Sequence, residues 1–151
     1  MHVLIIGCGN PLRGDDGLAS HALLYLERRP GLGGVALISC HQLAPELAEP
    51  ISRADRVIFI DARVSQSPTQ TAGLVEAHPV EPQDVSSSAF SHHFGPPALL
   101  DYAQKLYGRR PEAFAVSVIG ESFGYGEELS PSVRASIPGL LQQVEALAGS
   151  Q

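Results

Sequence analysis

The stretch VLIIGCGNPLRGDDG, residues 3–17, decides how the rest of the chain is read. Val3–Ile6 is a short aliphatic run closed by Gly7, the form of a buried strand. A glycine-rich loop follows at once. Such loops behind a first strand commonly cradle phosphate, yet this one ends in two carboxylates, Asp15 and Asp16. A dinucleotide fingerprint requires a third glycine where Leu12 stands. A P-loop shares the Gly9-to-Gly14 spacing but requires lysine where Asp15 stands. An acid at that position repels phosphate, so nucleotide binding is not expected.

Outward from this stretch, strand-like and helix-like segments alternate. Leu18, Ala22, Leu23 and Leu26 share one helical face between about Gly17 and Arg28, and Asp15 or Asp16 can cap the start. Val35–Ser39 is a second strand candidate. Pro45 opens a short helix through Leu47 and Ile51 that Pro50 should make irregular. Arg56–Ile60 is the clearest strand, with Asp61 expected at its C-terminal end. Val64–Thr71 is polar and turn-like. Leu74–His78 reads as an edge strand because Pro79 and Pro82 follow, and Ser86–Ser88 falls in a loop expected to be mobile. Pro96-Pro97 start a helix that stops at Gly108. Ala113–Ile119 is rich in β formers, and Ser130-Pro131 begin a last helix that Pro138 should kink or split. The alternation predicts one domain, residues 1–151, folded as a three-layer α/β/α sandwich around a mostly parallel sheet of about five strands. Ligands of such sheets bind outside the carboxyl ends of the strands, where the Gly7–Asp16 loop and Asp61 would both lie.

Composition limits the partners. A chain of 151 residues with 44% hydrophobic and 17% charged residues can bury a core. A net charge of −6 argues against a nucleic-acid partner, which calls for a basic face. No apolar stretch approaches membrane-spanning length, so no membrane association is expected. Cys8 and Cys40 form no CxxC site, and each ends or follows a strand-like run where a free cysteine packs. Ile5-Ile6-Gly7-Cys8 superficially matches a lipoprotein cleavage box, but too few residues precede it for a signal peptide. A reduced, cytoplasmic protein is the expectation.

Two constellations carry possible chemistry. Gly120-Glu121-Ser122-Phe123-Gly124 matches the nucleophile elbow of serine hydrolases. A helix should begin at that serine, but Gly124, Gly126 and Pro131 follow closely, and all six histidines precede it. The match is read as accidental. By contrast, Asp15-Asp16, Asp61 and His92-His93 offer carboxylate and imidazole donors from three loops, a set suited to a divalent transition metal with open positions. Each residue alone also has an ordinary structural use: Asp16 as a helix cap, Asp61 as a turn cap, either histidine as a surface residue.

Taken together these segments resemble a known family. Gly7-x-Gly9-Asn10-Pro11-x-x-x-Asp15-Asp16-Gly17 is similar to the N-terminal signature of the hydrogenase maturation proteases, endopeptidases that remove a C-terminal extension from the large-subunit precursor of nickel–iron hydrogenases. The resemblance continues through Asp55–Ala62, Ser91-His92, Leu99-Leu100, Gly120-Glu121 and Leu129-Ser130-Pro131-x-Val133, and so spans nearly the whole chain. It implies that Asp16, Asp61 and His92 are both the catalytic and the metal-contacting residues. It also implies that the metal is nickel already installed in the hydrogenase large-subunit precursor, with no organic cofactor. His93 is the alternative to His92; the spacing to Gly95 favours His92. Ser39–Leu43 stands where many members carry Asp-Gly-Gly-Thr, and Pro45–Glu49 looks similar to members serving the bidirectional, NAD-linked hydrogenases. The same residues would also serve a nickel-recognising maturation chaperone that cuts nothing.

Overall fold

The computed structural model describes residues 1–84 and 94–149. Five strands form one sheet in the order β2-β1-β3-β5-β4. They are β1 (Val3–Cys8), β2 (Val35–Cys40), β3 (Arg56–Val64), β4 (Val75–Pro79) and β5 (Glu112–Gly120). Strands β2, β1, β3 and β5 run parallel, and β4 adds to the edge antiparallel. The helices α1 (Leu18–Glu27), α2 (Ala48–Ser52), α3 (Pro96–Tyr107) and α4 (Pro131–Ala148) cover both faces.

The central strands are apolar on both sides because each face is buried. Ile5, Ile58, Val116 and Val118 point to the face covered by α1 and α4, where Leu18, Leu26, Val133 and Leu140 meet them. Leu4, Ile6, Val57, Phe59 and Ala115 point to the face covered by α2 and α3, against Ile51, Leu99 and Leu100. The expected three-layer sandwich with its five-stranded, mostly parallel sheet is the observed fold.

Helix α3 keeps the expected bounds. Its Pro96-Pro97 start needs no hydrogen-bond acceptors upstream, and Gly108 ends it in the left-handed region at φ 72°, donating its N–H to Gln104 O at 2.9 Å. Three expectations are corrected. Asp61 does not end its strand: β3 runs on to Val64, because β5 continues beside it as far as Gly120. Pro138 does not split α4, which runs unbroken from Pro131 to Ala148. Pro138 and Arg134 both lie on the exposed side, so the carbonyl that loses its helical partner faces water. Neither Asp15 nor Asp16 caps α1; both sit in a 3-10 turn over Gly14–Gly17, and no side chain bonds the α1 start. Ser86–Ser88, His92 and His93 lie outside the described residues.

Candidate active site

Strand parity assembles the site. Two residues beyond the core positions Ile6, Ile38, Phe59 and Ala115, on the same face of the sheet, stand Cys8, Cys40, Asp61 and Ser117. Cys40 pairs with Cys8, and Asp61 pairs with Ser117. One step beyond the Gly7–Ile60 pair, Cys8 comes beside Asp61. On the antiparallel edge strand Glu76 faces Ser117. A row of thiol, thiol, carboxylate, hydroxyl and carboxylate therefore crosses the sheet at its carboxyl edge. It follows the apolar rows beneath it on the same face.

A cavity of about 540 Å³ opens onto this row, with Cys8, Asp61, Ser117, Arg63, His78 and Gly95 among its walls. Two acids line it, Asp61 and the exposed Glu81. Ser117, 2% exposed, donates its hydroxyl to Asp61 Oδ1 at 2.6 Å. Burial pushes the Asp61 carboxyl above its ordinary range. The Ser117 bond and the Arg63 charge act against that, Asp16 reinforces it, and His78 opposes it.

Asp16 approaches from the loop above β1. The backbone N–H of Asn10 donates to Asp16 Oδ2 at 2.7 Å and fixes the carboxylate direction. Gly9 makes the close approach possible: it sits at φ 149°, and a Cβ there would collide with the Asp16 carbonyl oxygen. The negative charge of Asp16 is felt at both Asp61 and Cys8. A carboxylate whose charge opposes the ionisation of Asp61 contributes a charge pattern that a divalent cation relieves. Among the described residues no group of three His, Cys, Asp or Glu side chains is placed to hold a metal. The third expected donor, His92, lies outside them.

Asp15 takes a different part. It was expected to reach the sheet edge together with Asp16, but it turns inward and is 0% exposed. Its Oδ2 accepts hydrogen bonds from Glu121 N at 2.8 Å, Ser122 N at 3.0 Å and Ser130 Oγ at 2.8 Å, and its Oδ1 accepts one from Ser130 N at 2.7 Å. Burial raises this carboxyl, but the donated bonds from Ser130, Glu121 and Ser122 outweigh it and hold the group below the ordinary range. Backbone bonds from Gly14 N to Gly126 O and from Asp15 N to Ser122 O, both 2.8 Å, complete the join. Asp15 thus locks the segment after β5 onto the loop that carries Asp16. Ser122 belongs to this lock. No helix begins at it, so the nucleophile-elbow match has no elbow.

Sequence reasoning missed Ser117, Cys8 and Cys40 as neighbours of Asp61. Strand period puts each on the face of an apolar residue two positions earlier, but it does not say which strands lie side by side.

The fold is shared with solved hydrogenase maturation proteases. The endopeptidase HybD of Escherichia coli, a hydrogenase-maturating enzyme, is 26% identical to this chain with a TM-score of 0.76, covering 97% of this chain and 91% of its own. The [NiFe] hydrogenase maturation protease HybD of Thermococcus kodakarensis is 25% identical with a TM-score of 0.77, covering 99% of this chain and 100% of its own. A second structure of an Escherichia coli endopeptidase, determined in solution, is 27% identical with a TM-score of 0.76, covering 97% of this chain and 91% of its own. No protein-family model and no curated protein sequence matches the chain. Among the described residues no helix is long and apolar enough to cross a membrane.

Proposed function

We propose that this chain is an endopeptidase that removes the C-terminal extension of a nickel–iron hydrogenase large-subunit precursor after nickel insertion. The observation that carries the proposal is Asp61 in the cavity wall, close enough to Asp16 to feel its charge, in a chain that shares its fold end to end with hydrogenase maturation endopeptidases. Asp16, Asp61 and His92 contact the nickel of the precursor. The metal is part of the substrate and serves as its recognition tag. The resemblance of Pro45–Glu49 favours a precursor of the bidirectional, NAD-linked type, and a cytoplasmic setting goes with it.

The cavity receives the segment to be cut. Water is the nucleophile in this reading: among the described residues no Ser–His or Cys–His side-chain pair is evident. Asp61 is suited to take its proton: a buried carboxyl raised above the ordinary range is a stronger base than an exposed one. The Ser117 hydroxyl favours the ionised form of Asp61 and fixes the orientation of its carboxylate.

The test is incubation of the purified protein with nickel-loaded and nickel-free precursor, followed by the mass of the large subunit. Shortening of the nickel-loaded form alone is expected. Stable binding of the loaded precursor without shortening would instead identify a maturation chaperone.

A further inference from the structure

Cys8 and Cys40 close β1 and β2 as register partners, and neither is used by the reaction proposed above. Partners on neighbouring strands lie about 4.8 Å apart, and their Cβ atoms leave the sheet on the same face. That separation falls inside the roughly 4.4–6.8 Å between Cα atoms that a disulfide spans. Both thiols are free and half-buried. The Cys8 sulfur also lies 3.4 Å from His41 O. Adjustment is easy here, because β2 is an edge strand, Cys40 is its last residue, and the chain bends at His41-Gln42. Cys8 lines the Asp61 cavity, which gives small oxidants a path to the pair.

We infer that Cys8 and Cys40 are a redox-active dithiol, closed reversibly to a disulfide at the wall of the cavity by low-molecular-weight disulfides such as oxidised glutathione. The Cys40 thiolate attacks one sulfur of the small disulfide, whose S–S bond breaks and releases one thiolate. Cys8 then attacks the Cys40 sulfur of the mixed disulfide and releases the second thiolate. The two cysteine protons pass to the two released thiolates, and the two electrons lost by the cysteines reduce the small disulfide to two thiols. The Cys8 S–H is held by His41 O, whereas Cys40 ends the edge strand, so Cys40 is the thiol that attacks first.

The closed form would bear on the site. Cys40 O accepts the N–H of Gly9 at 3.0 Å, at the root of the loop that carries Asp16. A disulfide ties that root to β2 and removes the Cys8 S–H from the cavity wall. Slower precursor processing in the oxidised form is expected, and this consequence rests on the function proposed above.

The dithiol itself is tested without activity. The full chain is equilibrated across ratios of reduced to oxidised glutathione, quenched in acid, alkylated and weighed intact and as peptides. The expected result is loss of two hydrogens, no alkylation, and a bridged peptide joining Cys8 and Cys40, all reversed by dithiothreitol. Cys8→Ser should stop at a glutathione adduct on Cys40. Two alkylatable thiols, or two glutathione adducts, at every ratio in the folded wild-type chain would overturn the inference; this arm holds even if the serine variant fails to fold. Processing that is absent in both redox forms would count against the function and leave the dithiol standing.

Discussion

Ser117 Oγ donates to Asp61 Oδ1 at 2.6 Å, from the strand that pairs with Asp61 in register. The bond favours the ionised carboxylate against the burial that opposes it. Removing it in Ser117→Ala should therefore raise the Asp61 pKa further. If the ionised form takes the proton from water, the acid limb of the processing rate should move to higher pH, with a rate loss of about tenfold at neutral pH. An unshifted acid limb in the folded variant would remove Asp61 from the role of base.

Asp61→Asn separates stability from function. Because the folded-state pKa of Asp61 is raised, the folded chain binds its proton more tightly than the unfolded chain does. The associated stability is fully present below the ordinary carboxyl range and declines as pH rises through the folded value. The amide carries no charge to bury and still accepts from Ser117. Thermal unfolding at pH 7 should show an unchanged or higher Tm. Precursor processing should fall by about a hundredfold or more.

Asp15→Asn should do the reverse. Replacing one carboxylate oxygen with NH2 sets a donor against the N–H groups of Glu121, Ser122 or Ser130. The cost is about 3 kcal/mol, or a Tm lower by roughly 6–12 °C in a domain of this size. The sign with pH is opposite to that of Asp61. The Asp15 pKa is lowered, so its contribution is present above the ordinary value and is lost as pH falls through the folded one. Acid titration of wild type and variant, followed by circular dichroism, should show the gap between them close at low pH.

Gly9→Ala should damage the loop. Its φ of 149° and the facing Asp16 carbonyl leave no room for a methyl group. Loss of processing is expected, with the Tm reduced. At Gly33 an added Cβ meets nothing within 4 Å, so Gly33→Ala should behave as wild type in both measurements.

His92→Ala and Asp16→Asn should each abolish processing of nickel-loaded precursor, since each removes a proposed contact to the metal. His93→Ala should cost about tenfold or less if it only supports that contact. An inactive His93 variant beside a normal His92 variant would move the assignment by one residue.

The alternation of aliphatic runs with amphipathic segments determined the layers and the sheet class, because burial on one face or two leaves its period in the sequence. The bounds of α3 were equally legible, since Pro96-Pro97 and Gly108 act through local backbone geometry. The loop signature and its resemblance pointed to Asp16 and Asp61 for the same local reason. Pro138 misled because its effect depends on which side of α4 faces water, a property of packing. Asp15 and Asp16 are neighbours of one residue type, and only the returning segment, bound through Ser130 at a separation of 115 residues, decides that Asp15 is a buried anchor while Asp16 stays half-buried. The row from Cys40 to Glu76 was likewise settled by strand order and register. Hydrogen bonding between segments distant in sequence fixes both, and no local pattern carries that information.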